Sequence, residues 1–202
     1  MTVFNEKQSL PLNNVKTLLR KMLKIVKECH EKNIIHRDIK PHNIILSSCG
    51  TEPKIIDFGL AIITTREMEP FNYCKCGTMG YTAPEVLLTD SMFYKSYGYK
   101  CDLFSLGVVA HMLLMGYNPL AGKSDSQRKK EIKVELREKE IVEKYDENCF
   151  NFLKNLLCSN PKHRYSASEA LRSRFLREDF EEGVSPSRTL QSSSRFIEWS
   201  IS

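Results

Sequence analysis

Residues 102–115 form an almost unbroken apolar run, interrupted after Asp102 only by Ser105, Gly107 and His111. A helix that is apolar on every face cannot lie at a surface and must be enclosed by other elements. Gly116 follows directly and suits a helix stop in the left-handed region. No apolar run in the chain is long enough to cross a bilayer. The run therefore predicts one central, buried helix, and the rest of the chain has to supply its shell. With 202 residues, 41% of them apolar and 27% charged, there is material for one domain with such a core.

The shell can be read from periodicity. Val15, Leu18, Leu19, Met22, Leu23, Ile25, Val26 and Cys29 recur at helical spacing with lysines opposite, and Pro11 with Asn13-Asn14 suits the helix start. Two short apolar runs, 43–46 and 54–56, joined by a turn-rich segment 47–53, read as a β-hairpin. From 59 to 84 no period appears, and Gly77, Gly80 and Pro84 punctuate the stretch, which reads as a long functional loop. A helix is expected at 147–159. Another opens at Ser166, where Glu169 completes the spacing of a capping box. After Arg177 the apolar period fades, so 177–202 is expected to be a flexible tail. The fold class is mainly α with a small β-hairpin.

Charge and cysteine usage narrow the function classes. The net charge of +5 comes without a basic stripe interleaved with aromatics, so no nucleic-acid partner is expected. Arg128, Lys129 and Lys130 lie in a segment where acids and bases alternate up to Lys144, the pattern of a solvated helix face. The seven cysteines are odd in number and contain no C-x-x-C pair, Cys74 and Cys76 being the one close couple. They read as free thiols in a reducing compartment. The first residues lack the apolar core of a signal peptide. A cytoplasmic or nuclear protein without a membrane partner is expected.

Short motifs flank the hairpin. His36-Arg37-Asp38-Ile39-Lys40-Pro41-His42-Asn43 runs into its first strand, Asp57-Phe58-Gly59 follows its second, and Ala83-Pro84-Glu85 lies further on. Each triplet alone is weak. In this order, with a strand hairpin between the first two, they match the protein-kinase signature set. The match continues through 102–107 and through Asn160-Pro161-Lys162-His163-Arg164. The chain resembles the C-terminal lobe of a eukaryotic-type serine/threonine protein kinase, with a weaker resemblance to the calcium/calmodulin-dependent-kinase-like subgroup. The implied organisation is a kinase C-terminal lobe over 1–176 followed by the tail.

The resemblance implies phosphoryl transfer from Mg-ATP to a protein hydroxyl, a reaction in which the protein mainly positions groups and stabilises charge. Asp38 would orient the substrate hydroxyl and accept its proton. Lys40 would neutralise charge on the transferring phosphoryl group, and its place resembles the serine/threonine-specific branch. Asn43 and Asp57 would supply hard oxygen ligands to Mg²⁺. Ile45 would lie on the floor of the adenine pocket or serve as plain core. The family also implies that Asp102 anchors the catalytic-loop backbone, although a lone acid at the start of an apolar helix is often just an N-cap. It implies a buried Glu85–Arg164 ion pair, an apolar column containing His36 and Phe58, and a Thr78 bonded to Asp38 and Lys40. Arg37 goes with loop phosphorylation, yet the position three before Gly77 is Cys74, which leaves Thr64, Thr65 and Tyr73 as candidate phosphosites.

None of the nine glycines falls in G-x-G-x-x-G spacing, and no V-A-I-K lysine is found. The resemblance therefore implies a lobe whose N-terminal partner lobe is absent, and weak or no kinase activity for the chain by itself. The alternative is an inactive truncated pseudokinase acting as a protein-interaction module. Its N-lobe-facing surface would then be exposed and covered by a partner.

Overall fold

The structure is a computed structural model that describes residues 10–47, 50–64, 74–89, 97–122, 124, 127 and 134–177. The expected tail from 178 onward, the Arg128–Lys130 cluster, Cys49, Thr65 and Tyr73 lie outside the described residues. In chain order the elements are α1 (Leu12–Glu31), β1 (Ile34–Ile35), β2 (Ile44–Leu46), β3 (Pro53–Ile55), β4 (Ile62–Ile63) and α2 (Pro84–Leu87). They continue with α3 (Lys100–Met115), α4 (Glu138–Lys144), α5 (Glu147–Leu156), α6 (Ala167–Leu171) and α7 (Arg174–Arg177). Helix dominates, with two small antiparallel strand pairs, β2–β3 and β1–β4.

The apolar run is α3, and every residue from Cys101 to Met115 except Met112 is buried. Gly116 ends it at φ 85°, its N–H donating to the Met112 carbonyl. Helix α1 turns Val15, Leu18, Leu19, Met22, Leu23 and Val26 inward, against α3, α6 and β3. On the other side α5 brings Phe152, Leu153 and Leu156 to α3. At Gly107 the two helices meet closely, and an added Cβ would lie 2.9 Å from the Leu156 Cβ. Both atoms are fixed to helix backbone, so neither can turn away. Gly107→Ala should destabilise the fold by a net ~1–2 kcal/mol, overpacking outweighing the gain in helix propensity. Urea unfolding would show this as a lower midpoint at unchanged slope.

The capping box is formed as expected. Ser166 Oγ accepts from the Glu169 N–H at 3.3 Å, and Glu169 Oε2 accepts from the Ser166 N–H at 2.6 Å. The Ser166 N–H, with the Ser166 hydroxyl that donates to the same Oε2 at 2.7 Å, holds the Glu169 carboxyl below the ordinary glutamate value. Its contribution is therefore present at neutral pH and is lost as pH falls through that lowered value. Ser166→Ala should cost ~1 kcal/mol at pH 7, less in acid, measured by thermal unfolding at both pH values.

Two features differ from the sequence expectation. The stretch from Gly59 holds a 3₁₀ turn at Phe58–Leu60 and strand β4, which pairs Ile34 with Ile63 and Ile35 with Ile62. Two-residue strands carry no period of their own, which is why the pairing is invisible in the sequence. The helix expected to reach 159 stops at Leu156, because the chain then turns so that Cys158 and Ser159 offer their carbonyls to Arg164.

Candidate active site

The site grows out of the loop between β1 and β2. Asp102, in the first turn of α3, receives that loop's backbone. Its Oδ2 accepts from the His36 N–H at 2.9 Å and its Oδ1 from the Arg37 N–H at 2.8 Å. His30 Nε2 lies 3.0 Å from the same Oδ2. Asp102 is thus an anchor and no N-cap, that position belonging to Tyr99. Arg37 sits at φ 69°, a left-handed conformation costing a non-glycine residue ~1–2 kcal/mol, which two charge-assisted bonds to Asp102 can offset. His36 accepts the Asp38 N–H at Nδ1 (3.3 Å), so Nε2 carries its proton and donates to the Ile56 carbonyl at 3.0 Å. Its ring meets Phe58 edge-on at 4.7 Å.

Beyond this brace three side chains close a triangle. Thr78 Oγ1 donates to Asp38 Oδ1 at 2.6 Å, Lys40 Nζ donates to Thr78 Oγ1 at 2.7 Å, and Lys40 Nζ pairs with Asp38 Oδ2 at 2.8 Å. Asn43 Nδ2 donates to the Asp38 carbonyl at 2.9 Å and to Oδ2 at 3.1 Å. A carboxylate so surrounded keeps one rotamer and its charge has partners, as a buried acid requires.

Thr78 reaches the triangle because Gly77 lets the chain press against the loop between β1 and β2. Gly77 is at φ 101°, and a Cβ there would lie 2.9 Å from the Arg37 carbonyl oxygen. No other residue type satisfies both conditions without strain.

The hairpin joins the backbones of Asn43 and Ile56, with Asp57 next along the chain. The ladder Ile44↔Ile55 extends one step further through the Ile56 N–H to the Asn43 carbonyl (2.9 Å), and Asp57 is the next residue. Asp57 is exposed at φ 62°, with Oδ1 accepting the Gly59 N–H at 3.2 Å. Both Asn43 amide hydrogen bonds use its nitrogen, so its oxygen remains a donor atom for a cation. Among the described residues no cluster of three His, Cys, Asp or Glu could enclose a metal. One carboxylate beside one amide oxygen suits Mg²⁺, which keeps waters and phosphate oxygens in most of its shell. Ile45 is 46% exposed on the outer side of β2, opposite Lys54, and so is not core.

The structure therefore brings Asp38, Lys40 and Asn43 into one bonded cluster, with Asp57 at the adjoining hairpin end and Ile45 on the outer face of the same hairpin. The motif reading misses Tyr97. Its hydroxyl lies 3.0 Å from Arg37 Nη1, and no motif in the sequence marks it.

This arrangement of catalytic loop, hairpin and buried helix defines a protein kinase, and the chain belongs to the protein kinase family: the protein kinase domain matches residues 1–176. Its relatives are of the calcium/calmodulin-dependent-kinase-like kind. Calcium/calmodulin-dependent protein kinase type 1 of Macrobrachium nipponense is 34% identical over 170 residues, covering 82% of this chain and 47% of that protein. DNA damage response protein kinase DUN1 of Saccharomyces cerevisiae is 35% identical over 189 residues, covering 82% of this chain and 35% of that protein. The type 1 calcium/calmodulin-dependent protein kinase of Caenorhabditis elegans is 32% identical over 169 residues, covering 82% of this chain and 46% of that protein. The chain thus spans half or less of the length of these relatives. Protein kinases as a family use ATP and Mg²⁺ and act on protein substrates. No helix among the described residues is long and apolar enough to cross a membrane.

Proposed function

We propose that this chain carries the phosphoryl-transfer centre of a protein serine/threonine kinase, with 1–176 as the C-terminal lobe and 177–202 as a tail. The observation that supports this most is the Asp38–Lys40–Thr78 triangle, three chemically different groups within 2.8 Å of one another. Asp38 orients the incoming hydroxyl and takes its proton. Thr78 fixes the carboxylate by donating to Oδ1, and Lys40 places an ammonium where negative charge gathers during transfer. Asn43 holds Asp38 with its nitrogen and turns its oxygen, with the Asp57 carboxylate, toward a cation. Bound Mg-ATP would supply the phosphoryl group and neutralise its charge, held by Asn43, Asp57 and Lys40, with Ile45 against the base. The free thiols among the described residues accord with a cytoplasmic or nuclear setting.

The 202 residues include no glycine loop to cover a triphosphate, so transfer by the chain alone should be slow or undetectable. The test offers purified chain labelled Mg-ATP and basic peptides bearing Ser, Thr or Tyr. Any label should appear on Ser and Thr and vanish with EDTA and with Asp57→Asn. Label confined to Tyr, or label surviving Asp57→Asn, contradicts the reading. A chain that transfers nothing but binds a protein saturably favours the interaction-module alternative, which the exposure of Ile45 (46%), Phe58 (45%) and Leu60 (38%) supports.

A further inference from the structure

Thr78 is bonded to Asp38 and Lys40, so whatever fixes the chain just before it governs the triangle. Thr82 Oγ1 holds the Thr78 carbonyl at 2.8 Å from one side. On the other side stands Tyr97, which is buried and lies just ahead of α3. Its hydroxyl donates to the Cys74 carbonyl at 3.0 Å. With that proton committed the oxygen can only accept, so it receives Arg37 Nη1 at 3.0 Å and the Cys76 thiol at 3.4 Å. Arg37 in turn sends Nε to the Leu60 carbonyl at 2.6 Å. One oxygen thus joins the catalytic loop, the stretch before Gly77 and the approach to α3. Burial pushes the Tyr97 hydroxyl well above the ordinary tyrosine range, so it stays a donor.

We infer that Tyr97 is a positioning residue: its hydroxyl latches residues 74–76 to Arg37 and so holds Thr78 in register with Asp38. The latch uses neutral oxygens and a thiol where Arg37 would otherwise await a phosphate, and Cys74 offers no hydroxyl to carry one. The inference rests on the proposed role of Asp38, yet it can be read without turnover. Tyr97→Phe keeps the ring and removes only the hydroxyl. Maleimide labelling of the whole chain, resolved by peptide mass spectrometry, should then find Cys76 about tenfold more reactive. Cys158, which has no hydrogen bond to Tyr97, Arg37 or Cys76, serves as the reference and should be unchanged. Where transfer is measurable, Tyr97→Phe should lower kcat about tenfold at unchanged KM for ATP, and should add nothing in a Thr78→Ala background. Should Tyr97→Phe fail to fold, Arg37→Lys, which keeps the charge and loses the fork, should give the same faster labelling. Unchanged Cys76 labelling in the folded variant overturns the latch. Faster labelling with undiminished transfer overturns the positioning role while leaving the proposed function standing.

Discussion

Whatever phosphoryl transfer the chain supports should fall about a thousandfold in Asp38→Asn, with the fold left in place, by the usual contribution of a general base. The substitution is isosteric. The amide oxygen that takes the place of Oδ1 can still accept from Thr78, whereas the amide nitrogen in place of Oδ2 meets the Lys40 and Asn43 donors and cannot accept from them. What disappears is the charge that pairs with Lys40 at 2.8 Å and the basicity that takes a hydroxyl proton. A peptide assay with Mg-ATP, run beside circular dichroism of both proteins, separates the two effects. Transfer retained by a folded Asp38→Asn protein would remove Asp38 from the chemistry.

The second large effect is on stability. Arg164 is completely buried, and its N–H groups all find acceptors. Nε reaches the Cys158 carbonyl at 2.8 Å, Nη1 reaches Glu85 Oε1 at 2.6 Å and the Lys100 carbonyl at 2.7 Å. Nη2 reaches Glu85 Oε2 at 2.8 Å and the Ser159 carbonyl at 3.2 Å. The guanidinium also lies 5.0 Å from the centre of the Phe104 ring, so the network ties α2, α3 and the turn before α6 together. Glu85→Ala strands the cation in the core and should cost ~3–5 kcal/mol. That is a large share of the ~5–15 kcal/mol of an ordinary domain. The double variant Glu85→Leu/Arg164→Met should be more stable than Glu85→Ala, because no buried charge is left over. Urea unfolding checks both, and a loss below ~1 kcal/mol for Glu85→Ala would contradict the buried-pair account.

The sequence was most legible where a residue's role is set by its own chemistry. The all-apolar run could only be a buried helix, and Ser166 with Glu169 could be read as a cap from spacing alone. Asp38, Lys40, Asn43 and Asp57 were singled out by the order of their motifs, and the structure joins the first three in one hydrogen-bonded cluster, with Asp57 following strand β3. Less legible were features made by long-range encounter. The pairing of Ile34–Ile35 with Ile62–Ile63 leaves no periodic trace. Tyr97 is read only when its hydroxyl is seen to meet Cys74, Cys76 and Arg37, three positions it adjoins nowhere in the sequence. The outward face of Ile45 was hidden for a different reason: alternation on so short a strand does not say which side is covered.

Phosphoryl transfer at this centre requires the hairpin end to be a cation and phosphate site. Manganese, a paramagnetic stand-in for magnesium, can be titrated with ATP into the isotope-labelled chain while amide signals are followed by nuclear magnetic resonance. The expected result is selective broadening at Asp38, Asn43 and residues 57–59, lost in Asp57→Asn. Broadening that persists in Asp57→Asn, or that centres on the acidic residues Glu138, Glu140 and Glu143 of α4, would contradict it.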